Sequence, residues 1–347
     1  MVETSGLPPE ADAIEGVPLA REQPDVIGHD DAAATLVESY RSGRMHHAWL
    51  VTGPKGIGKA TLAFRFARYA LSSPDPATAG AAIADVDPRV EAMVARGSHP
   101  NLLHLARGLN QSRDRYLTVL SVDEVRRTLP FFGNSSAVRG PRVAIVDAAD
   151  DMNVNAANAL LKMLEEPPPR AIFLVLCHAP GRLLPTIRSR CRRLALDPLG
   201  PDDLLAALAR LGLEVPPSDR DLLLRMAEGS VRRAVEFLSG NGPALGAAFD
   251  ALAGAFPSID RKALHRFADM AAGRKGQDEL GLVGELARAW LSDRLRARAG
   301  SPATALMPLT TAWGQVGTVL AETEGLGLDR KQAVVEIVQS LADCARG

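Results

Sequence analysis

Cysteine is scarce in this chain. Only three occur in 347 residues, Cys177, Cys191 and Cys344, far apart and without a C-x-x-C pair. Such spacing provides neither a disulfide framework nor a zinc module, so a reduced, cytoplasmic setting is expected and zinc is not. Net charge is also nearly absent, at -1. No global field draws the chain to nucleic acid, and any DNA contact has to be local. Apolar runs approaching the ~20 residues of a membrane span are missing, so no membrane association is expected. The first 25 residues are acidic and contain proline, unlike the basic start and apolar run of a signal peptide. No internal repeat or long low-complexity run occurs.

What is present is an ordinary globular balance, 46% hydrophobic and 23% charged, over a length that suits two or three domains. Residues 1–22 read as a flexible tail. A helix is expected over 30–43 and an apolar strand over 47–52. A glycine loop at 53–58 follows, and then a helix from Lys59 to about residue 71. The stretch 72–118 is interrupted by Pro74, Pro76, Gly80, Pro88, Gly97 and Pro100 and reads as an inserted surface region with a short helix near 90–96. A helix over 121–132, a buried strand over 142–147, a helix over 153–165 and a second buried strand over 171–176 complete the pattern. Continuous apolar strands alternating with helices indicate a parallel sheet covered on both faces. Beyond residue 200 strand signals stop. Three short helices over 201–243 suggest a small lid domain, and 244–347 reads as a bundle of about five helices. The breaks between them are at Phe256-Pro257, Gly273–Gly276, Gly300–Pro302 and Gly325–Gly327.

The chemistry concentrates at Gly53-Pro-Lys-Gly-Ile-Gly-Lys-Ala-Thr61. Gly53, Gly58 and Lys59 fit the phosphate-loop pattern G-x-x-x-x-G-K-[ST] in its strand–loop–helix context, and Gly56 adds a third flexible position. Backbone N–H groups of such a loop and the positive end of the following helix suit phosphate oxygens, with Lys59 reaching the outer ones. Position 60 departs from the pattern. Ala60 lacks the hydroxyl that holds Mg²⁺ on a bound nucleotide. Asp147 ends an apolar strand, where an aspartate assists the metal, but the next residue is Ala148 and not an acid. Asp150 and Asp151 lie beyond the strand's end and are expected to point elsewhere. No cofactor is required on this reading, and the loop is expected to retain at most vestigial ATP or ADP binding.

Two further segments, Ala159-Leu-Leu-Lys-Met-Leu-Glu-Glu-Pro-Pro168 and Leu184-Pro-Thr-Ile-Arg-Ser-Arg-Cys191, taken with the loop, resemble the clamp-loader branch of the AAA+ ATPases. The likeness is carried by motifs to about residue 240 and by helical layout beyond. It implies an AAA+ α/β domain over 23–200 with an insertion at 72–118, a lid over 201–243 and a C-terminal collar domain over 244–347. It also implies a place in a five-membered ring with gamma/tau-type and delta-type subunits, acting on a sliding clamp and primed DNA. The arginine of the Ser-Arg-Cys triplet, here Arg190, would project into the neighbouring subunit's ATP site, where a guanidinium stabilises charge on the transferring phosphate. Four more arginines, Arg182, Arg188, Arg192 and Arg193, would form a solvated or interface face. Gly229-Ser-Val-Arg232 matches a sensor motif that would place Arg232 at the nucleotide. His178 stands where the family's ATPases carry a small polar residue. The four-cysteine zinc module of many members is missing from 72–118. A non-hydrolysing, stator-type subunit is therefore expected. A gamma/tau-type motor is opposed by Ala60, Ala148 and His178, and a metabolic P-loop phosphotransferase leaves the Ser-Arg-Cys triplet unexplained.

Overall fold

The computed structural model describes residues 9–110, 112–133, 138–272 and 279–346. The chain divides into two compact units. The first comprises Met1–Leu213 with Gly229–Val231, the second Glu214–Glu228 with Arg232–Gly347.

In the first unit α1 (Asp30–Arg41) precedes β1 (Ala48–Thr52), and α2 (Lys59–Ser72) follows the glycine loop. Next come α3 (Pro88–Ala95), β2 (Leu102–Ala106), the short helices α4 (Val122–Arg126) and α5 (Thr128–Gly133), and β3 (Arg142–Asp147). The unit continues with α6 (Val154–Glu165), β4 (Ala171–Cys177), α7 (Pro185–Arg190), β5 (Arg192–Ala195) and α8 (Pro201–Arg210). The strands form one parallel sheet in the order β2-β3-β4-β1-β5.

Side chains alternate across this sheet, as the twofold period of a strand requires. Trp49, Val51, Ile145, Ile172 and Leu174 pack on one face with Leu36, Leu62 and Phe66 of α1 and α2. Leu50, Ala144, Val146, Phe173 and Val175 pack on the other with Val125, Leu160, Leu164 and Ile187 of α4, α6 and α7. Both faces are covered, which is why the strands read as unbroken apolar runs.

Four expectations are corrected. The region 72–118 is not all surface insertion, because Leu102–Ala106 pairs in register with Leu102 opposite Val143 and Ala106 opposite Asp147, as the sheet's edge strand. Its single buried face, with Leu103 and Leu105 inward, leaves too short an apolar signal to stand out among the prolines. A fifth strand, β5, lies immediately after Cys191, where three exposed positions, two of them arginines, concealed it. The helix expected over 121–132 is two helices. Residues 10–22, read as part of the tail, make defined contacts. Leu19 is buried, and the buried Arg68 guanidinium donates to the carbonyls of Arg21 and Gln23.

The second unit is helical: α9 (Arg220–Ala227), α10 (Val231–Ser239, from residue 232), α11 (Gly242–Gly254), α12 (Arg261–Ala271), α13 (Glu279–Ala297), α14 (Ala303–Leu326) and α15 (Arg330–Cys344). Among the described residues five helices follow residue 240, and α12, α13 and α14 all pack against α15. Phe249, Phe267, Val283, Leu286, Val316, Val334 and Leu341 are buried at their centre. The break expected at Gly273–Gly276 lies outside the described residues.

Candidate functional site

The glycine loop leaves the C-terminal end of β1 at the middle of the sheet, where parallel α/β folds place their ligand sites. Gly53 adopts φ +152°, Gly56 φ +80° and Gly58 φ +106°. A Cβ on Gly53 would lie 2.5 Å from the Leu196 carbonyl oxygen, so only glycine lets the chain pass β5 into the loop. Gly58 in its left-handed conformation starts α2 and points the first turn's N–H groups at the loop.

The loop is braced internally. His29 Nε2 lies 2.6 Å from the Ile57 carbonyl, which selects the tautomer with the proton on Nε2. The Ser230 hydroxyl donates to the Lys55 carbonyl at 2.9 Å. Lys59 is buried, and its ammonium donates to the carbonyls of Gly53 at 2.7 Å and Pro54 at 2.5 Å. Burial lowers the Lys59 pKa to about 8, with the charges of Asp147 and Asp150 opposing the shift. The amine that would reach outer phosphates is thus spent on the loop's own backbone.

Around it, Asp147 Oδ2 lies 3.8 Å from His104 Nε2 at the ends of β3 and β2. Asp150 does not point away, contrary to expectation. A single 3-10 turn over Ala149–Asp151 swings its carboxylate back across the sheet, where it accepts the N–H groups of His178 at 2.9 Å and Ala179 at 3.0 Å. Burial would raise the Asp150 pKa, but these N–H groups outweigh it and hold the carboxyl below its ordinary value. Burial, and next the Lys59 charge, lowers the His178 pKa, which favours the neutral imidazole. Asp151 pairs with Arg107 at 3.4 Å.

Hydrolysis of a metal-bound nucleotide needs a hydroxyl at position 60 to hold the metal and an acid at 148 to orient the attacking water. Both are methyl groups here, and the Ala148 one is buried. Of the expected metal donors only Asp147 remains, so the residues present do not fit Mg²⁺-nucleotide hydrolysis.

Arg190 ends α7. Its guanidinium donates to the Thr186 carbonyl at 3.0 Å and pairs with Glu165 of the Leu-Glu-Glu-Pro segment at 2.7 Å, with about a third of the side chain exposed. The two motifs singled out in the sequence thus meet in space at the C-terminus of α6. Arg182, Arg188, Arg192 and Arg193 are exposed, and Arg192 lies over the Trp49 ring at 4.8 Å. Arg232 belongs to the second unit and pairs with Glu236 at 2.8 Å. Residues that sequence reasoning passed over are Asp12, His29 and Arg107. None carries a local signal, because each is distant along the chain from the loop it serves, whereas Ser230 lay within the sensor motif without a role of its own.

Burial pushes the Cys177 and Cys191 thiols up to about 12 and raises that of Cys344. Thiolate is the reactive form. At pH 8, iodoacetamide is therefore expected to label the folded chain at a small fraction of the rate seen in 8 M urea, where all three cysteines react. Fast stoichiometric labelling of Cys191 in the folded chain, read by mass spectrometry, would refute the buried-thiol assignment.

Residues 28–200 match the family described as DNA polymerase III, delta subunit. The chain is 38% identical over 184 residues to DNA polymerase III subunit delta prime of Pseudomonas aeruginosa, covering 53% of each. It is 34% identical over 228 residues to the Escherichia coli subunit of that name, covering 65% of this chain and 64% of that one. It therefore matches roughly half to just under two thirds of the length of these relatives. DNA polymerase III subunit gamma/tau of Mycobacterium tuberculosis is 28% identical over 218 residues, covering 62% of this chain and 36% of that one.

Proposed function

We propose that the chain, which is similar to DNA polymerase III delta prime subunits and matches their family over residues 28–200, is a non-hydrolysing subunit of a clamp loader. In this reading it is a stator that presents Arg190 to the ATP site of an adjacent gamma/tau-type subunit, beside a delta-type partner. The complex places a sliding clamp on primed DNA during replication, in the cytoplasm. The observation that carries the proposal is the pairing of two methyl groups, Ala60 and Ala148, with a lysine turned onto its own loop. A motor needs the opposite on all three counts. The helices of the second unit would supply the collar contacts with the other subunits. Among the described residues no helix is long and apolar enough to cross a membrane. ATP or ADP, where it binds at all, would have no catalytic use in this chain.

The test is ATP turnover by the chain alone, and by the chain reconstituted with gamma/tau-type and delta-type subunits, clamp and primed DNA. Silence alone, and turnover in the assembly that is indifferent to Lys59→Ala in this subunit, is the expected result. Lys59-dependent hydrolysis by the isolated chain would make it a gamma/tau-type motor.

A further inference from the structure

The loop is not only incomplete but spanned from within the chain. Residues 10–23 run to it as a strap that is fastened at several points. Arg68, at 1% side-chain exposure, donates to the carbonyls of Arg21 and Gln23. Arg21 donates to the Ala95 carbonyl at 3.1 Å and pairs with Glu10. The Leu19 N–H is taken by Glu22 at 2.9 Å. So fastened, the strap brings Asp12 to the loop. One carboxylate oxygen meets Lys55 of the loop at 2.7 Å, and the other meets Arg107, just past the end of β2, at 2.8 Å. Arg107 in turn reaches Asp151 at 3.4 Å.

We propose that this strap closes the phosphate loop, with the Asp12 carboxylate standing across Lys55 and Arg107 where a nucleotide's phosphate oxygens would otherwise engage them. A carboxylate that meets two cations with separate oxygens is a fair mimic of a phosphate edge. Burial would raise the Asp12 pKa, but the hydrogen bonds and charges of Lys55 and Arg107 outweigh it and keep the carboxyl below its ordinary value. With Lys59 bonded to Gly53 and Pro54, both loop lysines are then satisfied within the chain, and an incoming phosphate has to displace both sets of contacts. Ala60 and Ala148 oppose hydrolysis, and the strap would separately weaken binding. The inference rests on reading 53–59 as a phosphate loop. It is independent of the role given to Arg190.

The experiment is titration of the full-length chain with a fluorescent N-methylanthraniloyl ATP, in Mg²⁺ and in EDTA, followed by anisotropy. Asp12→Asn, which keeps the side chain's size, and Asp12→Ala, as a second variant, are each expected to bind about tenfold more tightly than the wild type. Adding Lys59→Ala is expected to abolish that gain. Affinity unchanged in both Asp12 variants overturns the strap. A gain that survives Lys59→Ala overturns it as well, since the nucleotide would then sit somewhere other than the loop.

Discussion

Arg190→Ala is expected to leave the fold intact and to lower ATP turnover at the neighbouring subunit's site by on the order of a thousandfold, the scale of a finger arginine acting on a transferring phosphoryl group. The two halves of that result have different causes. Among the described residues Arg190 holds the Thr186 carbonyl and Glu165, the latter through a pair with both partners more than a third exposed. Exposed pairs of this kind contribute about 0–1 kcal/mol, so thermal unfolding of the variant should track the wild type. A guanidinium across a subunit boundary meets charge that develops only in the transition state, in a site sheltered from water, and there its loss is severe. Arg190→Lys should fare nearly as badly, because an ammonium lacks the planar fork that engages two oxygens at once. The readout is single-turnover phosphate release by the reconstituted assembly with clamp and primed DNA. Equal release rates for wild type and Arg190→Ala would end the finger assignment and leave Arg190 as one member of the arginine face.

Phe173→Ala is expected to destabilise the α/β unit by about 3–5 kcal/mol. Phe173 sits in β4, the middle strand of five, with no exposed surface. Its register neighbours are Ala48 on β1 and Ala144 on β3, two small residues that leave the ring to fill the layer between sheet and helices. Phe132 lies against it at 5.1 Å. Strands hydrogen-bonded on both sides cannot move inward to close the resulting cavity, which puts the cost toward the top of the range. Against a typical total of about 5–15 kcal/mol, that is a large share. Urea unfolding should show the midpoint displaced with little change in slope. A loss under about 1 kcal/mol would mean that the helices of this face collapse onto the sheet far more easily than their packing suggests.

Much of the fold was legible because its signals are contiguous. β1, β3 and β4 are unbroken apolar runs, and their neighbours α2 and α6 carry helical spacing and clear ends. The glycines at 53, 56 and 58 announce their backbone requirement in a few adjacent letters. β2 and β5 were not legible, for one physical reason. An edge strand buries a single face, so its inward residues alternate with exposed ones. Four or five residues of alternation do not stand out beside prolines or arginines. Asp150 failed differently, since its direction depends on a single turn that sequence does not specify.

The sequence alone established the class of the fold, the phosphate loop, the absence of the metal-holding hydroxyl at 60 and of the acid at 148, and the two motifs that carry Glu165 and Arg190. Each of these depends on residue identity at fixed local spacing. Folding decided the rest. It turned Lys59 onto Gly53 and Pro54, drew Asp150 under the N–H groups of His178 and Ala179, set Arg190 against Glu165, and laid Asp12 across Lys55 from 43 residues away. Apart from the Lys59 contacts, which span five and six residues, these are ion pairs and hydrogen bonds between groups remote in sequence. Their distances and burial, and hence their strengths, exist only once the sheet has brought the elements together.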